Sequence, residues 1–475
     1  MFRRRWSGLP EDPVFPADLK KLGYFVEPKS DEIRQIDDPK YYFHYFESKN
    51  TRYNDRKRFA FDSAVQAQLI HPRLEALGLS KLALPLGAGA DDDAANNTDR
   101  RHVPIFVSPD LKSKKRVVVI FGETEQELGV IAHRVIGGPG GVDKGSMVGI
   151  TRALLQQGKE QGTTQDQDQD KDSKDMKDKE DQDHQDSDTG VVLANTGELW
   201  WWPEGGRGLT PRGGQNAPMR SAVHLGRFRG GGGGGEGEEA DDVVPQNEDA
   251  AAHVACVFEQ VLGSARFVSP GAVVQVVGVG NGASAAEWFL EHNWARWGGG
   301  KIGCLATLGG ALDADSVWDP GFREFLREKS RLYITSHEPA GTPISGPDGN
   351  DKTAITTSYG THIFSSGERY YSELMLIKAQ DVLLAWLAEV HRAGAGYANP
   401  EVGVTFADEK FEEPRPWSDD GSGPAREEGG EAEAGAAGAG AGFQLPTRQE
   451  EKDSGLEIIT REEWDDRMRK EGKGK

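Results

Sequence analysis

The chain has 475 residues, a formal net charge of −21, 36% hydrophobic residues, 61 glycines and 2 cysteines. The acidic excess lies in three low-complexity segments, residues 158–189, 230–249 and 401–442, so the remainder is close to neutral and offers no large electrostatic footprint for nucleic acid. Cys256 and Cys304 sit in apolar stretches without CxxC or Cys/His spacing, which argues against a zinc site or a disulfide framework and for two reduced core residues.

MFRRRWSGLP opens the chain with basic residues, but no apolar h-region follows, so it does not read as a signal peptide. No window approaches 18 consecutive apolar residues, so no membrane span is expected and the chain reads as soluble and intracellular. Residues 31–77 set charges between Tyr41, Tyr42, Phe43, Tyr45, Phe46, Phe59, Phe61, Val65 and Leu69, a spacing that predicts two helices forming an N-terminal cap. Arg56–Lys57–Arg58 within them reads as a solvated helix face ahead of a nuclear signal. After a polar stretch at residues 88–101, Pro104–Val107 and Arg116–Phe121 (RVVVIF) are predicted strands. The second is a continuous apolar run of the kind found in central parallel strands.

Gly122 ends that strand, and Thr124 with Glu127 forms a T-x-x-E capping box predicting a helix through Ile136. The GGPGG turn at residues 137–141 precedes a predicted helix over residues 144–157. It is not a Walker A loop: Asp143 stands where that motif requires glycine, and Gly145 follows Lys144 where it requires Ser or Thr. The acidic insert at 158–189 has no apolar periodicity and is expected to be disordered, as are 88–101 and 229–246. A strand resumes at residue 190 (GVVLANTG), and Trp200, Trp201 and Trp202 are expected in a loop wedged onto the domain. A helix is predicted over residues 247–262.

The chain is organised around residues 273–289, VVQVVGVGNGASAAEWF. An apolar strand (Val273 to Val279) breaks at Gly278, Gly280 and Gly282 and runs into a helix from near Ala283. Strand, tight turn, helix is the outline of a nucleophile elbow, where G-x-S-x-G lifts a serine above the end of a sheet. Here Gly280 holds the serine's place. An acyl-transfer site also needs a histidine and an orienting acid, in the order Ser, Asp/Glu, His on such a sheet. Asp313 is the candidate acid. Where the histidine should follow the last strand, in SSGERYYSEL, Tyr370 stands instead; His362 opens that strand and reads as structural. Ser284, one turn into the helix, reads as a helix residue. Gly278, Gly280 and Ala283 also satisfy the dinucleotide fingerprint G-x-G-x-x-A, but no acid follows about 20 residues later at the next strand's end, and at least three strands precede the match.

Beyond the elbow come predicted strands at 301–310, 331–336 and 362–367, a helix at 321–329 and a long helix from Leu374. Strands alternating with helices imply an α/β fold, a mostly parallel sheet with helices on both faces interrupted by acidic inserts. Residues 1–400 form one domain in this reading. Residues 401–475 form a low-complexity, largely disordered tail in the same reading, with a short charged helix near Leu456–Arg469.

MFRRRWSGLPEDPVFPADLKKLGYF, RFAFDSAV, HVPIFVSPDLKSKKRVVVIFGETEQELGVIAHRVIGGPGGVDKGSM, VVLANTGELWWWPEGGR, ISGPDG and IFSSGERYYSEL together resemble the fungal argonaute-binding (Arb-type) domain. That domain is related to the C-terminal domain of fungal class II histone deacetylases and to an animal argonaute-binding cofactor family. The resemblance implies an α/β-hydrolase-like fold used as a binding module, in a nuclear small-RNA complex with Argonaute that promotes heterochromatin assembly. Animal relatives keep a serine at the position of Gly280 and a histidine near that of Tyr370. The expectation is therefore a non-catalytic subunit with a degenerate site at Gly280, Asp313 and Tyr370, no cofactor and no metal. Its partners would be Argonaute and other silencing proteins, with small RNA reached through them and no membrane; its compartment would be the nucleus, with the cytoplasm second. Two other readings are a relic or displaced esterase, and a dimerisation or histone-binding scaffold, in which the chain would form a homo-oligomer.

Overall fold

Arg116–Phe121 and Val273–Val279 lie side by side at the centre of the main sheet, where both faces are covered and near-continuous apolar runs fit; their two polar side chains, Arg116 and Gln275, are buried and bonded to each other at 2.7 Å. The computed structural model describes residues 9–87, 101–166, 188–219, 221, 243–349 and 359–401, all within one compact unit, Met1–Phe406. The expectations of disorder in the inserts and the tail, and of a helix near Leu456, fall outside those residues for the most part. Where the 158–189 insert is described it is corrected, since residues 158–166 continue the helix Met147–Asp166 and Thr189 opens a strand.

The strands of the main sheet are numbered in chain order: β1 Ser80–Leu84, β2 Val103–Val107, β3 Arg116–Phe121, β4 Thr189–Ala194, β5 Val273–Val279, β6 Ile302–Leu308, β7 Ser330–Ile334, β8 Pro343–Ser345 and β9 His362–Ser365. Their order across the sheet is β8-β9-β7-β6-β5-β3-β4-β2-β1. The six strands from β9 to β4 run parallel, and β8, β2 and β1 are antiparallel additions at the edges. The expected α/β architecture, a mostly parallel sheet with helices on both faces, is what the chain forms.

Six helices of eight residues or more cover the sheet among the described residues: α1 Thr51–Val65, α2 Met147–Asp166, α3 Ala250–Val257, α4 Asn281–His292, α5 Pro320–Lys329 and α6 Met375–Ala393. Alternation along each strand decides which face a side chain serves. Val118, Ile120, Val277, Ala306 and Leu308 meet Phe61 of α1, Leu154 of α2 and Leu383 and Leu387 of α6. Val117, Val119, Phe121, Val276 and Leu305 face the other way, onto Val257 of α3, Phe289 and Leu290 of α4 and Phe322 of α5. Each such side chain, fully buried, contributes roughly 1.5–3 kcal/mol of transfer free energy. Cys304 lies in the first layer and Cys256 in the second, both unpaired and buried. Burial pushes their thiols up to about 12 and about 11, so neither is a ready thiolate.

Several expectations are corrected. Residues 31–77 are not two helices: Tyr24–Val26 and Ile33–Gln35 pair as a hairpin, and α1 then runs through Gln66–Ile70 into a helix at His71–Ala76. Asn50 starts that run by accepting the Arg52 N–H at 3.1 Å, and the preceding aromatic loop folds back on it, with the Phe43 ring 4.2 Å from that of Phe61 and tilted by 33°. The Thr124–Glu127 box caps no helix. Residues 122–132 are irregular and the next helix is His133–Ile136, because the Glu127 carboxylate is drawn to His133. Trp200–Trp202 is a strand paired with Arg207–Leu209, with Trp200 and Trp201 buried; its wedging role stands, its loop conformation does not.

The basic cluster is not a solvated face. Arg56 is buried against Asp12 at 2.8 Å, Lys57 is paired with Glu47, and Arg58 holds Asp62 at 2.7 Å. Asp143, the residue that breaks the Walker pattern, is paired with Arg73 and Arg152, each at 2.6 Å.

Candidate functional site: a glycine elbow at the switch point

In an open α/β sheet, ligands bind outside the carboxyl ends of the strands where the order of connection reverses. Here β3 connects to β4 on one side and the chain then returns to β5 on the other, so the switch point lies between β3 and β5. The residues at its mouth are Gly122 and Glu123 after β3 and Gly280 and Asn281 after β5.

Gly280 has φ 53° and ψ −126°, a left-handed conformation that a side chain would occupy only under strain. The flanking glycines permit close approach instead. A Cβ at 278 would enter Ala283, and one at 282 would enter the Gly122 carbonyl. The turn is thus an elbow in shape, with α4 starting at Asn281. A Cβ on Gly280 would fall inside the carboxylate of Glu123. Glu123 Oε1 accepts the Thr124 N–H at 2.9 Å, the Thr124 hydroxyl at 3.1 Å and the Asn281 N–H at 3.4 Å. The place of a nucleophilic side chain is therefore filled by a carboxylate from the neighbouring strand's loop.

The other expected positions do not converge on it. Asp313 follows β6, is exposed, and accepts the Asp315 N–H at 3.1 Å to cap the short turn Ala314–Ser316. Tyr370 follows β9, the third strand beyond β5, and is 70% exposed, with its ring edge-on to His337 at 5.8 Å. Its N–H and that of Tyr371 are held by Glu368 Oε1 at 3.0 and 3.3 Å. Ser284 donates its N–H to the Gly280 carbonyl at 3.3 Å, so it belongs to the first turn of α4. His362 is buried at the amino end of β9, opposite Arg331 of β7, and so lies at the end of its strand away from the carboxyl ends where the elbow sits.

Two features escaped the sequence reading. Beneath the loop after β6, Glu287 of α4 is 1% exposed and accepts the Leu312 N–H at 2.8 Å; burial pushes its carboxyl up to about 8. After the loop that follows β3, His133 stands between Glu127 (Nε2 to Oε2, 2.5 Å) and Asp62 of α1 (Nδ1 to Oδ1, 3.4 Å). These three offer ligand atoms within 4.8 Å of one another. The carboxylates face different nitrogens of the ring, however, and Arg58 already holds Asp62, so the cluster has the disposition of an imidazolium between two carboxylates. Burial works against the charged ring, but Asp62 and Glu127 outweigh it and raise His133 above its ordinary value. Burial likewise opposes ionised Glu127, and His133 outweighs it.

The model of the Arb2 domain family matches residues 15–340. The chain belongs to the Arb2 domain family. The matched region of the Arb2 domain includes the elbow, Glu123 and Asp313, and stops short of Tyr370. No curated protein sequence matches the chain. Among solved structures it is similar to a histone deacetylase from Saccharomyces cerevisiae, at 9% identity and a TM-score of 0.34, covering 69% of this chain and 96% of that one. It is also similar to carboxyl esterase 2 from the mycorrhizal fungus Tuber melanosporum, at 11% identity and a TM-score of 0.30, covering 66% and 86%.

Proposed function

We propose that this Arb2-domain protein is a non-catalytic interaction subunit that binds Argonaute in a nuclear small-RNA complex promoting heterochromatin formation. One observation carries the non-catalytic half: the elbow turn holds glycine at its middle position, and the Glu123 carboxylate fills the space a nucleophile would need. A carboxylate there also repels the developing oxyanion that such a turn would otherwise stabilise. Membership of the Arb2 family and the near-neutral charge outside the acidic segments support the binding half, with a protein surface rather than phosphate as the thing bound.

Two measurements test the reading. Argonaute should be recovered with the tagged chain from nuclear extract, with and without RNase, across 50–200 mM salt. Direct phosphate binding through 6–10 contacts would weaken by about 10³–10⁵ over that range, so recovery lost to salt or RNase would point to RNA as the true ligand. The purified protein should also leave simple acyl esters at the background rate. Gly280→Ser with Tyr370→His should stay inactive too, because the new hydroxyl meets Glu123. Ester turnover by the wild type, with a serine-reactive phosphonate attached at Ser284, would overturn the non-catalytic reading.

A further inference from the structure

The crevice at the switch point is closed from within the chain, and the closing group is chemically specific. Glu123 lies two residues beyond β3, and its carboxylate uses both oxygens differently. Oε1 takes two backbone N–H groups, from Thr124 at 2.9 Å and Asn281 at 3.4 Å, together with the Thr124 hydroxyl at 3.1 Å. Asn281 Nδ2 donates to that hydroxyl oxygen at 3.1 Å, which leaves the hydroxyl proton free to point at Glu123. Oε2 reaches into the volume that any side chain at 280 would claim.

The donors are of a recognisable kind. In a G-x-S-x-G turn the oxyanion cradle is built from the N–H of the residue after the middle position and an N–H from the loop after the third strand. Asn281 and Thr124 occupy those two places, and Asn281 adds the positive end of the twelve-residue helix α4. The cradle has therefore persisted without the nucleophile. What it holds is a carboxylate, the product-like group such donors fit, carried by the chain itself.

We propose that this crevice is a carboxylate-binding site kept occupied by Glu123, which serves as a tethered internal ligand strapping the loop after β3 to the elbow. Being tethered, Glu123 acts at a high effective concentration, so a free carboxylate enters only when the side chain is withdrawn. The charge-assisted bonds it makes fix the irregular segment 122–132, which has no helix of its own until His133. The assignment goes beyond the Argonaute reading and does not depend on which partner the protein binds.

Chemical rescue in the full-length protein tests it. Glu123→Ala should melt about 3–6 °C below the wild type. Sodium acetate should restore that loss saturably, where sodium chloride at equal ionic strength should not, and the wild type should be indifferent to the choice. An alanine variant that melts with the wild type, or that gains no more from acetate than from chloride, overturns the proposal. Should the alanine variant fail to fold, amide exchange in the wild type and in Glu123→Gln decides it. The Thr124 and Asn281 amides should be protected in the wild type and exchange at least tenfold faster in the Gln variant, whose neutral oxygen is the weaker acceptor. Exchange of both wild-type amides at the rate of open loop overturns the proposal without any variant.

Discussion

Glu287 shows how one side chain sets a condition on the whole fold. It is an acid on α4, nearly inaccessible to water, with one backbone N–H for company, and its carboxyl is pushed up to about 8 by burial. The folded chain therefore binds a proton there that the unfolded chain releases near the ordinary value for glutamate. The sign follows from that difference. Stability is fully present below the unfolded value and is lost as the pH rises through about 8. Glu287→Gln keeps an oxygen for Leu312 and removes the charge, so it should lose nothing at pH 5. Its advantage over the wild type should then grow with pH to on the order of a few kcal/mol at pH 9. Thermal midpoints of the two proteins at pH 5, 7 and 9 read this directly, and a constant offset between them would show that Glu287 is ionised throughout. Gly280 illustrates the complementary case. Its backbone conformation was legible in the sequence as a glycine between a strand and a helix, and its energetic meaning was not. The group that excludes a side chain there is Glu123, and Asn281, which Glu123 also contacts, is 158 residues away from it in sequence. Nothing in the local pattern GETE announces that contact; it exists because β3 pairs with β5.

At the scale of elements, legibility followed burial. β3 and β5 are covered on both faces, so their sequences are apolar runs whose only polar side chains, Arg116 and Gln275, are buried against each other, and their expected bounds are those observed. β1 (SKLAL) and β8 (PIS) are edge strands with one partner each; they need no such run, and the sequence offered no sign of them. The cap failed for a different reason. Its aromatic residues have helical spacing, but those at 41–46 serve as a loop lid on α1, a role that periodicity does not distinguish from a helix face. What ties this cap together is also long-range. Asp12 accepts from Arg52 at 2.5 Å, Arg56 at 2.8 Å and the Met219 N–H at 2.7 Å, joining the N-terminal segment to α1 and to the loop near residue 219. Burial opposes the charged form of Asp12, and the arginines and the Met219 amide outweigh it, holding its carboxyl below the ordinary range. Asp12→Ala would leave the buried Arg56 without its carboxylate, a kind of loss that costs about 3–5 kcal/mol. The expected outcome is a lower thermal midpoint together with early proteolytic cleavage between residues 9 and 22. Cleavage confined to other segments would show that the clamp is dispensable.

For the whole molecule, the question is what a net charge of −21 does when the folded part is close to neutral. The acidic segments have few apolar residues to bury, so ordering them would cost backbone entropy of roughly 1–2 kcal/mol per residue with little to offset it. The main sheet does not call on them: β4 resumes at Thr189 with its full register against β3, and α2 ends at Asp166, before the densest acidic run. A deletion of residues 167–187 with a short Gly/Ser linker therefore removes charge while leaving every described strand and helix in place. The thermal midpoint should move by no more than a few degrees, the effect of about 1 kcal/mol on a domain of this size. Solubility near the isoelectric point should fall instead, since net charge is what keeps molecules apart. If the acidic run contributed to packing, the deletion would collapse soluble expression at neutral pH, and the midpoint of whatever folded would drop well beyond that limit. Argonaute recovery by the deleted protein then separates two further roles: unchanged recovery assigns the binding to the folded domain, and its loss assigns it to the acidic chain.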